Sequence, residues 1–186
     1  MGRSAWGWMV SVVQKASRWM GLEIMRNACP LCGNLLVLPV GPKDSSILLI
    51  GEYPGVDELK SGYCWTGKGG EVLRAELARA GIQYERCRAT NLWQHTPSKD
   101  DEEYRQHMEW MLEEVEGKKA ILLMGSDVCK ALLGEAVSDV SGLIVNSPYL
   151  PKDAIAVAVR NPAQVLRKGS TVGEIRSAMK AFREAI

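Results

Sequence analysis

The chain has 186 residues, 46% of them hydrophobic and 24% charged, and its 23 Lys and Arg nearly balance 22 Asp and Glu. That length supports one domain with a sizeable core. Near-neutrality excludes a histone-like coat of positive charge, yet a local basic patch with a few backbone amides can still hold a short run of phosphates.

The five cysteines are an odd number, and no secretory signal is read ahead of them. A reducing, cytoplasmic setting is the expectation, with the cysteines as thiols or metal ligands. Residues 5–13 are apolar, but Gln14 and Lys15 end the run far short of a membrane span. Trp8, Val12 and Trp19 fall on one stripe of an amphipathic helix. Residues 1–26 are therefore expected as a helical extension packed on a domain spanning 27–186. Leu35–Val40 could add an edge strand. Four apolar runs, Ile47–Ile50, Cys87–Asn91, Ala120–Met124 and Ala154–Val159, suit buried parallel strands. Helical patterns lie between and after them: Glu71–Ala80, closed by Gly81; Asp101–Glu116, opened by acids; Ser126–Leu133, closed by Gly134; and Thr171–Ala185. The fold class implied is α/β, a three-layer open sheet of about four parallel strands with helices on both faces. Such sheets bind ligands beyond the carboxyl ends of their strands. Gly51-Glu52-Tyr53-Pro54-Gly55, then Asn91, then Asn161-Pro162-Ala163 are all expected there.

Two motifs are ambiguous on their own. Gly62 to Gly69 reads GYCWTGKG and lacks the Ser or Thr after Lys68 that a phosphate-binding P-loop needs for magnesium. A Gly-rich loop entering a helix, able to hold a DNA phosphate on its amides, is the plainer reading. Cys29-Pro30-Leu31-Cys32-Gly33 is a CxxC knuckle that suits zinc, an iron–sulfur cluster or a redox dithiol. The chain's two histidines are His95 and His107.

Taken together, the motifs resemble a known family. Gly51-Glu52-Tyr53-Pro54-Gly55, with Glu58, Gly62, Trp65, Gly67, Gly70 and Leu73, resembles the first signature of the uracil-DNA glycosylase superfamily. The similarity is greatest to the iron–sulfur branch, which reads GEAPG, a glutamate, a glycine, PFVG and a helix-opening glycine. Thr90-Asn91-Leu92-Trp93-Gln94-His95-Thr96-Pro97 resembles that branch's TNVVKCRPP. Leu122-Leu123-Met124-Gly125 with Leu132 and Leu133 resembles its later strand–glycine–helix unit, and Asn161 to Arg167 its HPSxLLR loop. The resemblance places the four cluster-ligand positions at Cys29, Cys32, His95 and His107, so both histidines stand where the branch has cysteine. Two thiolates and two neutral imidazoles suit tetrahedral zinc; an iron–sulfur cluster with imidazole ligands is the alternative. Its expected role is structural, tying the N-terminal helix to the 91–107 loop, with Cys64, Cys87 and Cys129 as ordinary buried residues.

What the resemblance implies is a DNA glycosylase of base excision repair, a monomer with no membrane contact. It would flip uracil or a related modified pyrimidine out of single- or double-stranded DNA and hydrolyse the N-glycosidic bond. Trp65 would stack on the base and Asn91 read its edge, with Gly51 and Tyr53 completing the base pocket. Glu52 would supply a carboxylate or hold water, and Asn161 would donate to the departing base. Pro162, Ala163, Gln164, Arg167 and Lys168 would touch the duplex. Two positions depart from the pattern: Tyr53 replaces alanine, and Asn161 replaces histidine. The alternative reading is a catalytically inactive DNA- or nucleotide-binding protein of the same fold.

Overall fold

The computed structural model describes residues 28–167 and 172–186. The expected helical extension over 1–26 and the contact residue Lys168 lie outside the described residues. No described helix is long and apolar enough to cross a membrane.

Five strands form one sheet in the order β2-β1-β3-β5-β4. They are β1 (Ile47–Gly51), β2 (Arg88–Asn91), β3 (Ala120–Met124), β4 (Ile144–Val145) and β5 (Ile155–Val159). The first four in that order are mutually parallel, and β4 joins the edge antiparallel to β5. The helices are α1 (Val56–Ser61), α2 (Lys68–Arg79), α3 (Asp101–Val115), α4 (Ser126–Leu133), α5 (Val137–Val140) and α6 (Val172–Ala185).

The strands read as continuous apolar runs because both faces are covered, and their period of two sorts the side chains. Leu49, Leu122, Met124, Val157 and Val159 face one way, onto Leu73 and Leu77 of α2 and Ile175, Met179 and Phe182 of α6. Leu48, Ile50, Ile121, Leu123 and Ala158 face the other way, onto Met111 and Val115 of α3 and Val128 and Leu132 of α4. The result is the three-layer α/β architecture.

Some elements differ from expectation. Leu35–Val40 is not a strand: it makes single bridges, Leu38 to Tyr63 and Val40 to Ala89. Pro39 has no N–H to donate and Gly41 turns the chain at φ +83°, so no ladder propagates. Helix α2 opens at Lys68, three residues before the expected Glu71, because Glu58 Oε1 accepts from the Gly67 amide at 3.1 Å and caps it. Strand β4 and helices α1 and α5 are additions.

One ion pair fixes the helix that will matter below. Arg88 on β2 donates from Nε and Nη2 to the two carboxylate oxygens of Glu114 on α3, at 2.7 and 2.6 Å, with both side chains mostly covered. The guanidinium holds the Glu114 carboxyl below its ordinary value. Because that pKa is depressed on folding, the stabilisation is present above the unfolded carboxylate pKa and is lost as pH falls through the folded one. Arg88→Met should therefore lower unfolding free energy by on the order of 2 kcal/mol near neutral pH. In denaturant titrations the gap to wild type should close on acidification through the carboxylate range; a gap independent of pH would contradict the ion-pair assignment.

Candidate active site and metal centre

Beyond the carboxyl ends of β1, β2 and β5 lies a cleft of about 310 Å³ lined by Glu52, Trp65, Asn91 and Asn161, among others. The register explains the convergence. Gly51 pairs with Asn91, so Glu52 follows the end of β1 just where β2 presents its last residue. The ladder then runs one step past the strands, with Leu92 N–H donating to Gly51 O at 2.8 Å and Trp93 N–H to Glu52 O at 2.9 Å.

Gly51 separates the two base-reading candidates. A Cβ there would lie 2.4 Å from Asn91 Oδ1 and 2.6 Å from Trp65 Cζ2, so only glycine fits between amide and indole. Trp65 sits at φ +59°, the described chain's only non-glycine residue in the left-handed region. Such a conformation costs on the order of 1–3 kcal/mol and persists only when its surroundings impose it. Here Arg74 Nη1 donates to Trp65 O at 2.8 Å, and Gly70 packs so closely that a Cβ would meet that oxygen at 1.8 Å. The indole is 7% exposed, and its Nε1–H is buried without a partner. Asn91 is buried, and its Nδ2 donates to Cys64 Sγ at 3.6 Å. Cys64, Cys87 and Cys129 are all buried free thiols.

Glu52 and Asn161 form a bonded pair. Asn161 Nδ2 donates to Glu52 Oε2 at 2.7 Å, and the Asp127 amide at the start of α4 donates to Glu52 Oε1 at 3.1 Å. A carboxylate at a helix N-terminus meets its unpaired amides and the positive end of the dipole. Gly125, at φ +111°, leaves the room: a Cβ there would lie 2.3 Å from the Glu52 carboxyl carbon. Asn161 Oδ1 accepts from the Ala163 amide at 2.9 Å and so caps the short 3₁₀ turn Pro162–Leu166.

Tyr53 is 49% exposed and lines the cleft rim, so its ring does not plug the floor. Ala163 and Arg167 line the same cleft; Pro162 is buried beneath it, and Gln164 is partly exposed on the turn. Leu166, within the HPSxLLR-like loop, is an exposed apolar side chain at the rim. The P-loop reading loses ground: the Gly67 amide that would meet a phosphate is already bonded to Glu58.

The CxxC knuckle turns through Gly33, Cys29 is buried, and Val37 N–H donating to Gln94 O at 2.6 Å ties this arm to the segment after β2. Cys29, Cys32 and His95 come together, and Glu103 of α3 joins them. One donor atom from each of the four lies within 4.8 Å of the others. Four such donors gathered at this spacing form a group that could close on one metal ion. Glu103 is 4% exposed, and its Oε1 has no hydrogen-bond partner.

His107 is not in that four-atom group; it stands directly against His95. His95 Nδ1 donates to Thr96 O at 2.7 Å, and its Nε2 turns toward Cys32 Sγ at 3.5 Å. His107 Nδ1 lies 2.5 Å from Gln94 Oε1. The Gln94 amide is oriented by its own Nε2, which donates to Asn91 O at 3.0 Å. The backbone N–H of Gln94 also donates to His107 Nδ1, at 3.2 Å, so Nδ1 meets both a donor and an acceptor of the same residue. His107 Nε2 faces His95 Nε2 at 2.9 Å, a hydrogen-bond separation. Burial, with His95 adjacent, holds the His107 pKa down to about 4, so the ring is neutral near pH 7. Two facing imidazole nitrogens, once deprotonated, are a donor set for a cation.

Sequence reading missed Glu103 and Gln94. Glu103 reads as a helix-opening acid, although it stands four residues before His107 on one face of α3, which is the available signal. Gln94 gives none, since a buried glutamine in a loop looks like a surface one.

A profile of the uracil DNA glycosylase superfamily matches residues 38–185. The chain belongs to that superfamily, a family of DNA glycosylases. Cys29 and Cys32 precede the matched range, whereas His95, Glu103 and His107 fall within it.

Gly51→Ala should force Trp65 and Asn91 apart while leaving the sheet intact. Far-UV circular dichroism should be preserved and the near-UV tryptophan signal changed; an unchanged near-UV spectrum would contradict the packing described.

Proposed function

We propose that the protein removes uracil, or a closely related modified pyrimidine, from DNA by hydrolysis of the N-glycosidic bond. The observation that carries this is the convergence of Glu52, Trp65, Asn91 and Asn161 on one cleft of about 310 Å³. That volume is at the scale of a small-ligand pocket.

A flipped base enters against the Trp65 indole, and the Asn91 side-chain amide pairs with its imide edge. The indole Nε1–H is a further buried donor close by. As the bond from C1′ to the base breaks, its electron pair leaves with the base and positive charge grows on the sugar. The Glu52 carboxylate, held by Asn161 and the α4 amide, stabilises that charge and takes a proton from the water that adds to C1′. One Asn161 Nδ2 hydrogen is committed to Glu52, and the other is free to meet the departing base oxygen, which is finally protonated from solvent. The exposed Leu166 and Arg167 at the rim fit the stack and a phosphate respectively.

The test is single turnover on an oligonucleotide with one deoxyuridine, followed by alkali. Strand breakage is expected, and Asn91→Ala should slow it by about 100-fold, the scale of one lost transition-state donor. No breakage with uracil, hypoxanthine or 5-hydroxymethyluracil at enzyme excess would remove the hydrolase reading. Tight binding without release would then favour a non-cleaving DNA-binding protein.

We further infer a single structural zinc on Cys29, Cys32, His95 and His107, with Glu103 as a neighbouring acceptor. The facing Nε2 atoms of His95 and His107, 2.9 Å apart, support this set. The ion would hold the CxxC arm, the segment after β2 and helix α3 together. Elemental analysis should find about one zinc per chain. His107→Asn should lose the metal and Glu103→Gln retain it. The reverse pattern would make Glu103 the fourth ligand, and a brown preparation would establish iron–sulfur instead.

A further inference from the structure

Between the proposed base pocket and the proposed metal centre lies one buried residue that neither reading uses. Gln94 is 5% exposed, sits one residue before His95 and three after Asn91, and spends both ends of its side chain on these two sites. Its Oε1 accepts from His107 Nδ1 at 2.5 Å, and its Nε2 donates to the Asn91 backbone carbonyl at 3.0 Å. Its own carbonyl accepts from the Val37 amide at 2.6 Å, which ties it to the arm that brings in Cys29 and Cys32. Asn91, in turn, is followed by the two amides that bond Gly51 O and Glu52 O. The connections form one path: His95 to His107, His107 to Gln94, Gln94 to Asn91, and from there to the backbone that places Glu52.

We propose that Gln94 is a positioning residue that couples the metal centre to the base pocket, making Asn91's grip on the flipped base depend on the ordering of His107. The proposal rests on the base and metal readings above. The physical basis is that a glutamine amide cannot rotate to serve one partner without abandoning the other. With His107 fixed through Nε2, its Nδ1–H points at Gln94 Oε1 and the amide must then present Nε2 to Asn91. With His107 free to turn or to move its proton, Gln94 loses its orienting partner, and the end of β2 loses a donor in a place that water does not fill cheaply. A metal of purely structural character thus acquires an effect on recognition.

The experiment uses the metal-loaded full chain and two variants, Gln94→Met and Gln94→Glu. The first removes both bonds at similar volume. The second keeps an acceptor for His107 and loses the donor to Asn91. Two readouts are taken: hydrogen exchange at the Leu92 and Trp93 amides, and the binding preference for a cleavage-resistant 2′-fluorinated deoxyuridine over an abasic analogue in the same oligonucleotide.

Both variants should keep their zinc and melting temperature, exchange about tenfold faster at these amides, and lose about tenfold in preference, the scale of one buried hydrogen bond. Chelation of wild type should produce the same two changes, and chelation of Gln94→Met should add little to either. Wild-type protection and preference in Gln94→Met would overturn the proposal, as would a chelation effect of equal size in both proteins. If wild type shows no uracil preference while the exchange pattern appears as stated, the base reading fails and the coupling stands. If wild type prefers uracil and the exchange is indifferent to Gln94, the coupling fails alone.

Discussion

The extension of the β1–β2 ladder past the sheet is the constraint on which the rest of the molecule depends. Leu92 N–H to Gly51 O and Trp93 N–H to Glu52 O continue strand-like bonding where the strands have ended. The chain bends at Leu92 and again at Gln94–Thr96 as it leaves the end of β2, with these two bonds holding the start of that turn against β1. Asn91 stays in the cleft floor, Glu52 is fixed beside it, and His95 is carried away from the cleft to the opposite side of the same short segment. The five residues Asn91 to His95 thereby contribute to both proposed sites.

Around that segment the close contacts are mostly made by absent side chains. Gly51 admits the indole beside the amide, Gly70 lets α2 approach the Trp65 carbonyl, and Gly125 gives the Glu52 carboxylate its place at the start of α4. Each is a position where a Cβ would collide with a group of the proposed site. The strained backbone of Trp65 belongs to the same scheme: the ring is aimed by a left-handed turn that Arg74 and Gly70 hold shut. On the other side of the segment Trp93 packs on both imidazoles, with ring centroids 5.9 Å from His95 and 4.9 Å from His107. The two histidines of the proposed metal centre are thus seated against an aromatic ring, while Cys32 is exposed.

The parallel strands were readable because burial on both faces writes an uninterrupted apolar run, as in Ala120–Met124. Strand β4 was not, since two residues at an exposed edge, one of them Ile144 at 60% exposure, leave no period to detect. Helix α1 buries no residue and so carries no stripe. The Leu35–Val40 run looked like a strand by composition, but Pro39 denies it a ladder. At the cleft, Glu52, Trp65, Asn91 and Asn161 were legible through motif spacing, because each sits at or near a strand end or a glycine turn whose chemistry is local. Glu103 and Gln94 were not, because what distinguishes them is burial and the partner they meet, and both are set by tertiary packing.

Anomalous diffraction at the zinc edge, from crystals grown with DNA carrying a 2′-fluorinated deoxyuridine, would test the central claim most directly. Expected is one anomalous peak among Cys29, Cys32, His95 and His107, with the extruded uracil against Trp65 and its edge on Asn91. Iron scattering from a cluster at that place, or a base seated away from Trp65 and Asn91, would contradict it.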